Sequence, residues 1–411
     1  MHILYIHQYF VPPDGKGGTR SYEMARRLVR AGHQVTLLTS SAFFPKHYNL
    51  DGEVSRLECD GIQLVVVRIP YSNKLSFRRR LLVFVEFAYR ASVLAAGVEG
   101  IDLVFATSTP LTIAIPGIVA KSRRRVPMVF EVRDLWPEIP ISLGAIRNPL
   151  LIWASKALER CAYRSSARVV ALSPGMRDGV ARAGYPAERV TVIPNSSDVQ
   201  NFDVPDTAGQ QFLSEHPYLK RGPLVTYTGT LGVVNNARYF VDIAERMLLL
   251  DPDVTFLIVG DGHEHANVRL AAQAAGVFEK NLWMLPPLPK NEIPKVLSAT
   301  TLGSSFFIDN PVLWHNAANK FFDSLAAGRP IVLNYEGWQA ELVRQRKAGV
   351  VVPPNDPVTA ARLIQEFVRD EHRLRQGRQA ARELAMNEFN RDILAEKLRR
   401  VLEEAARERR A

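Results

Sequence analysis

The 411-residue sequence has only two cysteines, Cys59 and Cys161, and they do not form a C-x-x-C pair. A disulfide-stapled secreted domain is therefore excluded, and a reducing, cytosolic compartment is expected. The sequence also lacks a long uninterrupted apolar run. The uncharged stretch 103–120 contains Pro110 and Pro116, so no transmembrane helix is predicted. The N-terminus lacks the basic and apolar segments of a signal peptide.

Motifs of several common protein classes are missing as well. The glycine loop at residues 15–18 has neither the G-K-[ST] ending of a P-loop nor a clean G-x-G-x-x-G spacing. Nucleotide triphosphatases and nicotinamide dehydrogenases are therefore disfavoured. The histidines show no spacing with cysteines or acids that would hold a metal ion. No helix-turn-helix, zinc or RNA-binding signature accompanies the basic clusters, which disfavours a nucleic-acid partner.

Positive charge is present in excess and is unevenly distributed. The formal net charge is +10; residues 1–200 carry 26 basic and 16 acidic side chains, whereas residues 201–411 carry 26 of each. The whole excess therefore lies in the first half. Such asymmetry suggests an anionic partner, which is nucleic acid, a phosphorylated substrate or a membrane surface.

Short β-branched runs alternate with helical patterns along the chain. This is typical of parallel strands that are buried on both faces and joined by crossover helices. The pattern restarts at Leu224 after a polar, irregular segment. We therefore predict an α/β protein with two doubly wound, Rossmann-like parallel-sheet domains, residues 1–203 and 204–391, whose strands end at a shared cleft.

The strongest local signal is segment 314–330, which predicts a loop, a helix from about Asn319, a glycine stop and a strand. Lys320 falls in the first helical turn, where the helix dipole favours anions rather than cations. A phosphate bound at the helix N-terminus would remove this conflict, and a solvated lysine is the alternative. Asp323 lies one turn further along the same helix.

Segment 131–138 places Arg133, Asp134 and Glu138 at the carboxyl end of a predicted strand. Asp134 could orient or deprotonate a hydroxyl group there, and Arg133 could hold a phosphate. The alternative is a structural ion pair.

Segment 77–90 joins a basic cluster, Arg78, Arg79 and Arg80, to an apolar run with aromatic residues. The pattern predicts either a helix at a membrane interface, with the arginines toward lipid headgroups, or a core helix with a solvated start.

The sequence resembles the GT-B glycosyltransferases of glycosyltransferase family 4, in matching pieces that run in order over nearly the whole chain. These pieces are the opening strand with residues 13–18, RLVRAGHQVTLLTS, VVALSPGMRDGV, the segment 192–195, YTGTLG, FLIVGDG and KFFDSLAAGRPIVLN. Within the family, RDLWPE and NKFFDSLAAG resemble the subgroup that builds bacterial O-antigen and capsule repeat units, including N-acetyl-fucosamine transferases.

The resemblance implies a retaining hexosyltransferase without a metal cofactor. Its donor would be a nucleotide-sugar, UDP-linked, carrying an N-acetylated or 6-deoxy hexose. Its acceptor would be a polyprenyl-phosphate-linked saccharide, and the enzyme would be cytoplasmic and peripheral on the anionic inner face of the plasma membrane. The GT-B fold also implies that helix 392–411 packs back on the first domain.

The sequence departs from the family pattern at two places. The two family glutamates of the donor motif fall on His315 and Asp323, and the family's cationic pair after the first strand of the second domain falls on Thr230 and Asn235. Lys320 therefore inherits the contact to the diphosphate, with Arg329 and Lys16 in reserve.

The resemblance and the motifs together assign roles to named residues. The catalytic group is Lys320, Asp134 and Glu138, with Asp134 the favoured proton partner, while Lys16 and Arg133 orient the acceptor or a phosphate. The predicted donor-binding residues are Gly17, Gly18, Gly229, Thr230, Gly232, Gly260, Gly262, Leu288, His315, Asn319 and Asp323. A GT-B sugar-nucleotide epimerase and a non-catalytic nucleotide-sugar-binding subunit remain as alternatives.

Overall fold

The computed structural model describes residues 1–15, 17–71 and 75–408, apart from the side chains of Phe77 and Arg78. The chain divides into two compact units. Unit 1 consists of Met1–Pro194 together with the chain from Leu394 onward, and unit 2 is Asn195–Ile393.

The two units divide at Pro194, earlier than the predicted boundary at residue 203. The reason is that side chains directly after Pro194 bond to partners within unit 2. The Ser197 hydroxyl donates to the Asp323 carboxylate, and Arg391 donates to the Asp198 carboxylate at 2.7 Å.

In the described part of unit 1, eight strands form one sheet in the order β3-β4-β2-β1-β5-β6-β7-β8. Strand β3 is antiparallel to β4, and the other neighbours are parallel. The strands are β1 (His2–Ile6), β2 (Gln34–Ser40), β3 (Val54–Cys59), β4 (Ile62–Val67), β5 (Leu103–Thr107), β6 (Met128–Val132), β7 (Arg168–Ala171) and β8 (Val190–Val192). The helices are α1 (Arg20–Arg30), α2 (Phe77–Gly97), α3 (Ala114–Arg124), α4 (Glu138–Ser142), α5 (Pro149–Arg164) and α6 (Pro174–Arg182).

In the described part of unit 2, six parallel strands form a second sheet in the order β11-β10-β9-β12-β13-β14. The strands are β9 (Leu224–Thr228), β10 (Thr255–Val259), β11 (Leu282–Leu285), β12 (Leu302–Ser305), β13 (Ile331–Leu333) and β14 (Gly349–Val351). The helices are α7 (Val199–Phe202), α8 (Asp206–Glu215), α9 (Ala237–Leu250), α10 (His265–Ala274), α11 (Ile293–Ala299), α12 (Asn319–Ala326), α13 (Trp338–Arg346), α14 (Pro357–Arg369) and α15 (Glu371–Asn387).

Helix α16 (Arg391–Arg407) begins at the end of unit 2 and completes the core of unit 1. Its buried face joins the core cluster that contains Ile3 and Tyr5 of β1 and Leu37 of β2. The members of that face recur every three or four residues, and burial of each leucine or valine contributes about 1.5–3 kcal/mol. They are Leu394, Ala395, Leu398, Val401, Leu402 and Ala405. The predicted return of the terminal helix to the first domain is confirmed.

The order of strands reverses beside one strand in each sheet. Strand β1 lies between β2 and β5, and strand β9 lies between β10 and β12. In open parallel sheets, ligands bind at the carboxyl ends of the strands next to such a switch point. Each unit therefore carries one edge at which a ligand is expected.

Candidate functional site

Lys320 lies at the switch point of the unit 2 sheet, in the first turn of α12. Its ammonium Nζ donates a hydrogen bond of 2.7 Å to the hydroxyl of Tyr227 and lies 3.9 Å from the centre of the Tyr227 ring. Tyr227 is on β9 and donates in turn to the carbonyl of Thr230 at 2.8 Å. One buried tyrosine therefore holds the lysine beside the loop that follows β9.

The charge of Lys320 has no counter-ion within the described residues. Burial lowers the pKa of the Lys320 ammonium from 10.5 to about 7, and no neighbouring acid opposes the shift. The residue before α12, Ala318, supplies no side-chain cap to the helix N-terminus. A buried cation beside uncapped N–H groups is an arrangement that an anionic ligand stabilises.

Asp323 follows Lys320 by one helical turn but does not pair with it. Its two carboxylate oxygens accept hydrogen bonds from Ser197 and Lys290. Asp323 therefore tethers the start of unit 2 and fixes Lys290, and its direct contact with a donor stays a prediction. Lys290 is absent from the predicted site, because its partner lies 33 residues away in the sequence.

The glycines after β9 and β10 allow two loops to pack backbone against backbone. A Cβ on Gly260 would lie 1.9 Å from the Gly229 carbonyl oxygen, and one on Gly262 would lie 2.4 Å from the Leu231 carbonyl oxygen. Gly229 has φ +126°, and its Cβ would lie 3.7 Å from Cε of Lys320. Gly260 and Gly262 are thus explained by loop packing, whereas Gly229 lies directly beside the lysine. Gly232 and the exposed Thr230 belong to the same loop.

Of the other residues predicted to bind the donor, some lie near the start of α12 and some do not. Asn319 begins α12, and His315 ends a short helical turn, Pro311–His315, that precedes it. Leu288 packs instead against a hydrophobic cluster that includes Phe212 and Trp283. Arg329 lies beyond the other end of α12 from Lys320. It therefore does not share the Lys320 site, and its predicted role as a reserve contact to the diphosphate is wrong.

The carboxyl edge of the unit 1 sheet brings together His7, Arg133 and Ser21. Arg133 Nη1 lies 3.2 Å from His7 Nε2, and the Ser21 hydroxyl lies 2.8 Å from His7 Nδ1. Because a guanidinium can only donate, Nε2 accepts and Nδ1 carries the proton. Burial and then the Arg133 charge lower the pKa of His7, so the ring is neutral. The predicted Arg133 is therefore positioned by a histidine at the end of β1.

Asp134 and Glu138 lie near this edge in different surroundings. The Asp134 carboxylate accepts a hydrogen bond of 2.9 Å from Thr109, and burial raises the pKa of Asp134. Glu138 begins α4, is half-buried and lies 4.0 Å from Arg182. The two carboxylates therefore differ in their partners: Asp134 accepts from a hydroxyl group, whereas Glu138 lies beside a guanidinium.

Glu131, in the same segment, forms a fully buried ion pair with Arg20 at 2.8 Å. Although burial opposes ionisation, Arg20 and Thr107 hold the pKa of Glu131 below its usual value. The ion-pair alternative thus applies to Glu131, whose partner Arg20 was not predicted. In the glycine loop, Gly17 has φ +147° and Gly18 is half-buried, while Lys16 lies outside the described residues.

Helix α2 exposes an apolar face. Arg79 is exposed and Arg80 half-buried at its start, and the Arg78 side chain lies outside the described residues. The exposed apolar side chains are 56–72% accessible and recur at helical spacing: Leu82, Val85, Tyr89 and Val93. Helix α3 packs against both α2 and α5, and α5 exposes Leu150 and Trp153. In residues 1–15, 17–71 and 75–408, no helix has the length and apolarity needed to cross a membrane.

No group of three or more His, Cys, Asp or Glu side chains that could hold a metal ion occurs in the part of the chain that the structure describes.

Two family models match the chain: a glycosyl transferase 4-like domain over residues 17–196, and glycosyl transferases group 1 over residues 222–370. Together they cover about four-fifths of the sequence. The chain therefore belongs to the glycosyl transferase families that these two models describe, with one domain of each. Unit 1 corresponds to the 4-like domain and unit 2 to the group 1 domain.

The 2-deoxystreptamine glucosyltransferase of Streptomyces kanamyceticus is 23% identical over 250 residues, which is 60% of this chain and 62% of that protein. The chain thus spans less than two thirds of that relative. A protein of Escherichia coli named "Putative colanic acid biosynthesis glycosyl transferase WcaI" is 23% identical over 309 residues, 72% of this chain and 74% of that protein.

Among solved structures, Anabaena HepE in complex with UDP and glucose has a TM-score of 0.74 at 18% identity, covering 98% of this chain and 100% of that chain. WaaG, a glycosyltransferase involved in lipopolysaccharide biosynthesis, has a TM-score of 0.69 at 13% identity, covering 97% and 99%. At these identities the likeness shows the fold, and the predicted GT-B architecture of two Rossmann-like domains is confirmed.

Proposed function

We propose that the protein transfers a sugar from a nucleotide-sugar, with UDP as the nucleotide, and that unit 2 binds this donor. The observation that carries the proposal is the buried Lys320 ammonium, which has a hydroxyl partner and no described counter-ion at the switch point of the unit 2 sheet. A diphosphate at this position would receive the lysine charge and the N–H groups that begin α12.

The same groups fit the chemistry of sugar transfer. As the sugar leaves, negative charge grows on the departing nucleoside diphosphate, and donors already in place stabilise that charge. In our proposal the protein's own cation takes this role without a metal ion. The anomeric configuration is retained, and the leaving phosphate accepts the proton of the acceptor hydroxyl, which Asp134 orients.

UDP is preferred over other nucleotides because two structural neighbours were solved in complex with it or with a UDP-sugar. HepE was solved with UDP and with UDP-glucose, and an E. coli trehalose-6-phosphate protein was solved with UDP-2-fluoro glucose. Those ligands belong to those two proteins, and the choice of UDP for this chain rests on the likeness of fold.

Thermal unfolding of the full chain with UDP, GDP and dTDP tests donor binding. We expect UDP to raise the Tm most, because a ligand that binds only the folded state stabilises it. The increase should disappear in Lys320→Ala and persist in the matched control Lys295→Ala, an exposed lysine paired with Glu292. Equal shifts in wild type and Lys320→Ala would contradict the assignment of Lys320.

We propose further that the acceptor is a polyprenyl-phosphate-linked saccharide, and that the sugar is an N-acetylated or 6-deoxy hexose used in a bacterial surface polysaccharide. The relative named for colanic acid biosynthesis supports this direction. So does the exposed apolar face of α2 beside Arg79, because apolar side chains flanked by arginines suit an anionic membrane surface. The enzyme would then act while bound to the inner face of the membrane.

Co-sedimentation with phosphatidylglycerol vesicles tests this surface. Leu82→Ser/Tyr89→Ser should reduce the bound fraction at least fivefold, and so should the charge reversal of Arg78, Arg79 and Arg80 to Glu. The control Leu249→Ser/Leu270→Ser removes two leucines that are equally exposed, but on α9 and α10 of unit 2. Unchanged sedimentation of the α2 variants would refute the membrane surface.

A further inference from the structure

Three arginines meet at the amino end of the unit 2 sheet, and we refer to Arg329, Arg378 and Arg382 as the arginine cluster. Arg329 lies in the turn between α12 and β13. Helix α15 packs on this turn: a Cβ on its Gly377 would lie 3.0 Å from Pro330 Cβ. Arg382 crosses the same turn, since a Cβ on Gly328 would lie 2.7 Å from Arg382 Nε.

The arginine cluster is separate from the Lys320 site. Helix α12 leads from Lys320 at the carboxyl edge back to the start of β13, a rise of roughly 12 Å at about 1.5 Å per residue. Arg329 Nη2 donates to the carbonyl of Ser298 at 2.7 Å, and Ser298 lies near the end of α11, just before β12 begins. Arg329 and Ser298 therefore both lie at the amino edge of the sheet.

The positive charge of the cluster is poorly compensated. The Arg329 side chain is only 13% accessible, and its Nε is buried without a hydrogen-bond partner among the described residues. The carboxylate recorded beside it is Asp206, at 4.0 Å on a side chain that is 92% accessible. Burial, followed by the charge of Arg378, lowers the pKa of Arg329 to about 10. Among the described residues, the acid nearest to Arg329 is therefore a distant and solvated one, while Arg378 and Arg382 add positive charge beside it.

Two other arginines on α14 and α15 have the acidic partner that the cluster lacks within the described part of the chain. Arg375 of α15 pairs with Glu371 at 3.2 Å, and Arg362 of α14 pairs with Glu366 at 2.8 Å. Each has its acid one helical turn away. Arg378 has Leu374 four residues before it and Arg382 four residues after it. At the spacing where Arg375 and Arg362 have a glutamate, Arg378 therefore has an apolar residue and a second arginine.

We propose that the arginine cluster is a binding site for a phosphoryl group, distinct from the donor site. Guanidinium groups present paired N–H donors that match phosphate oxygens, and the buried Nε of Arg329 offers a further donor. A bound phosphoryl group neutralises the mutual repulsion of the three side chains. The group belongs either to a soluble phosphate compound or to the headgroup of an anionic phospholipid.

The test compares Arg378→Ala/Arg382→Ala with the matched control Arg362→Ala/Arg375→Ala, which removes the same charge from exposed positions on α14 and α15. Both residues of the test variant are exposed, so its fold is expected to persist. In equilibrium dialysis with labelled inorganic phosphate, the test variant should bind at least tenfold more weakly than wild type and control. Lys320→Ala should retain this phosphate site, which separates the proposal from the donor assignment.

Vesicles provide the second arm. If the source is a lipid headgroup, phosphatidylglycerol vesicles should bind the test variant at least threefold more weakly than the control, while phosphatidylcholine vesicles bind both equally. Loss of phosphate binding alone identifies a soluble compound. If the test variant matches the control with both inorganic phosphate and phosphatidylglycerol vesicles, the proposal is overturned.

Discussion

The two sheets each hold a buried cation at the carboxyl edge, and the two cations are treated in opposite ways. In unit 1, Arg20 pairs with Glu131 and also donates to the carbonyls of Ile193 and Pro194 at 2.9 and 2.6 Å. In unit 2, Lys320 has one hydroxyl partner, Tyr227. Arg20 is thus fully partnered within the protein, whereas Lys320 has no counter-ion among the described residues, which is why we propose that a ligand supplies one.

Removing the unpaired cation should have the largest effect on activity. Lys320→Ala is expected to lower kcat/KM for sugar transfer by about 10²–10³-fold, because one preformed donor to the growing charge is lost. Far-ultraviolet circular dichroism should be unchanged, and Lys295→Ala should retain normal rates. Near-normal turnover of Lys320→Ala would remove this residue from the mechanism.

Removing the paired cation should instead affect stability. Arg20→Ala leaves Glu131 buried without its partner, which is expected to lower the free energy of unfolding of unit 1 by about 3–5 kcal/mol. Urea unfolding measures this loss. Arg177→Ala, which breaks an exposed pair with Asp178, should cost no more than about 1 kcal/mol. If Arg20→Ala lowered the free energy of unfolding by no more than about 1 kcal/mol, the contrast between a paired Arg20 and an unpaired Lys320 would be contradicted.

The pH dependence of stability sharpens the same comparison. The folded-state pKa of Lys320, about 7, lies below its unfolded value of 10.5. Between these values the unfolded chain binds a proton that the folded chain has released, so this group makes the unfolding free energy rise with pH by at most about 1.4 kcal/mol per unit. Below pH 7 that contribution is constant.

Urea unfolding at pH 7.5, 8.5 and 9.5 should show this slope in the ligand-free protein. Lys320→Met should flatten it, because methionine fills similar space without a charge. UDP should also flatten it in wild type, because the diphosphate favours the protonated ammonium and raises its pKa. Identical pH profiles for wild type and Lys320→Met would contradict the low pKa.

The smallest expected effect belongs to the carboxyl edge of unit 1. Asp134→Asn keeps the shape of the side chain but removes its charge, and should lower kcat about tenfold with little change in the affinity for UDP. The exposed Asp178→Asn is the control. Weaker UDP binding by Asp134→Asn would assign Asp134 to the donor rather than to the acceptor.

Local sequence signals predicted the elements that depend on local rules. The strand pattern that restarts at Leu224 is observed as β9, and the helix expected from about Asn319 begins at Asn319. Strand β3 was missed. It is an edge strand that pairs only with β4, and its half-buried and exposed positions produce no continuous apolar run.

The partners of the site residues could not be predicted, because they are distant in sequence. Tyr227 meets Lys320 across 93 residues, and Arg20 meets Glu131 across 111. The helix-dipole argument singles out Lys320 from its local sequence. The local sequence does not show, however, that Lys320 lacks an acidic partner among the described residues whereas Arg20 has one. The motif spacing located Asp323, yet its pairing with Lys290 emerges only in the folded chain.

The return of α16 to unit 1 has a consequence for synthesis of the protein. While the ribosome has made only the first 194 residues, the core around β1 lacks the six apolar side chains that α16 supplies. Unit 2 is one continuous stretch of chain, so it can complete its fold once Ile393 has emerged from the exit tunnel. The unit made first is therefore completed last, because part of its core is supplied by residues from Leu394 onward.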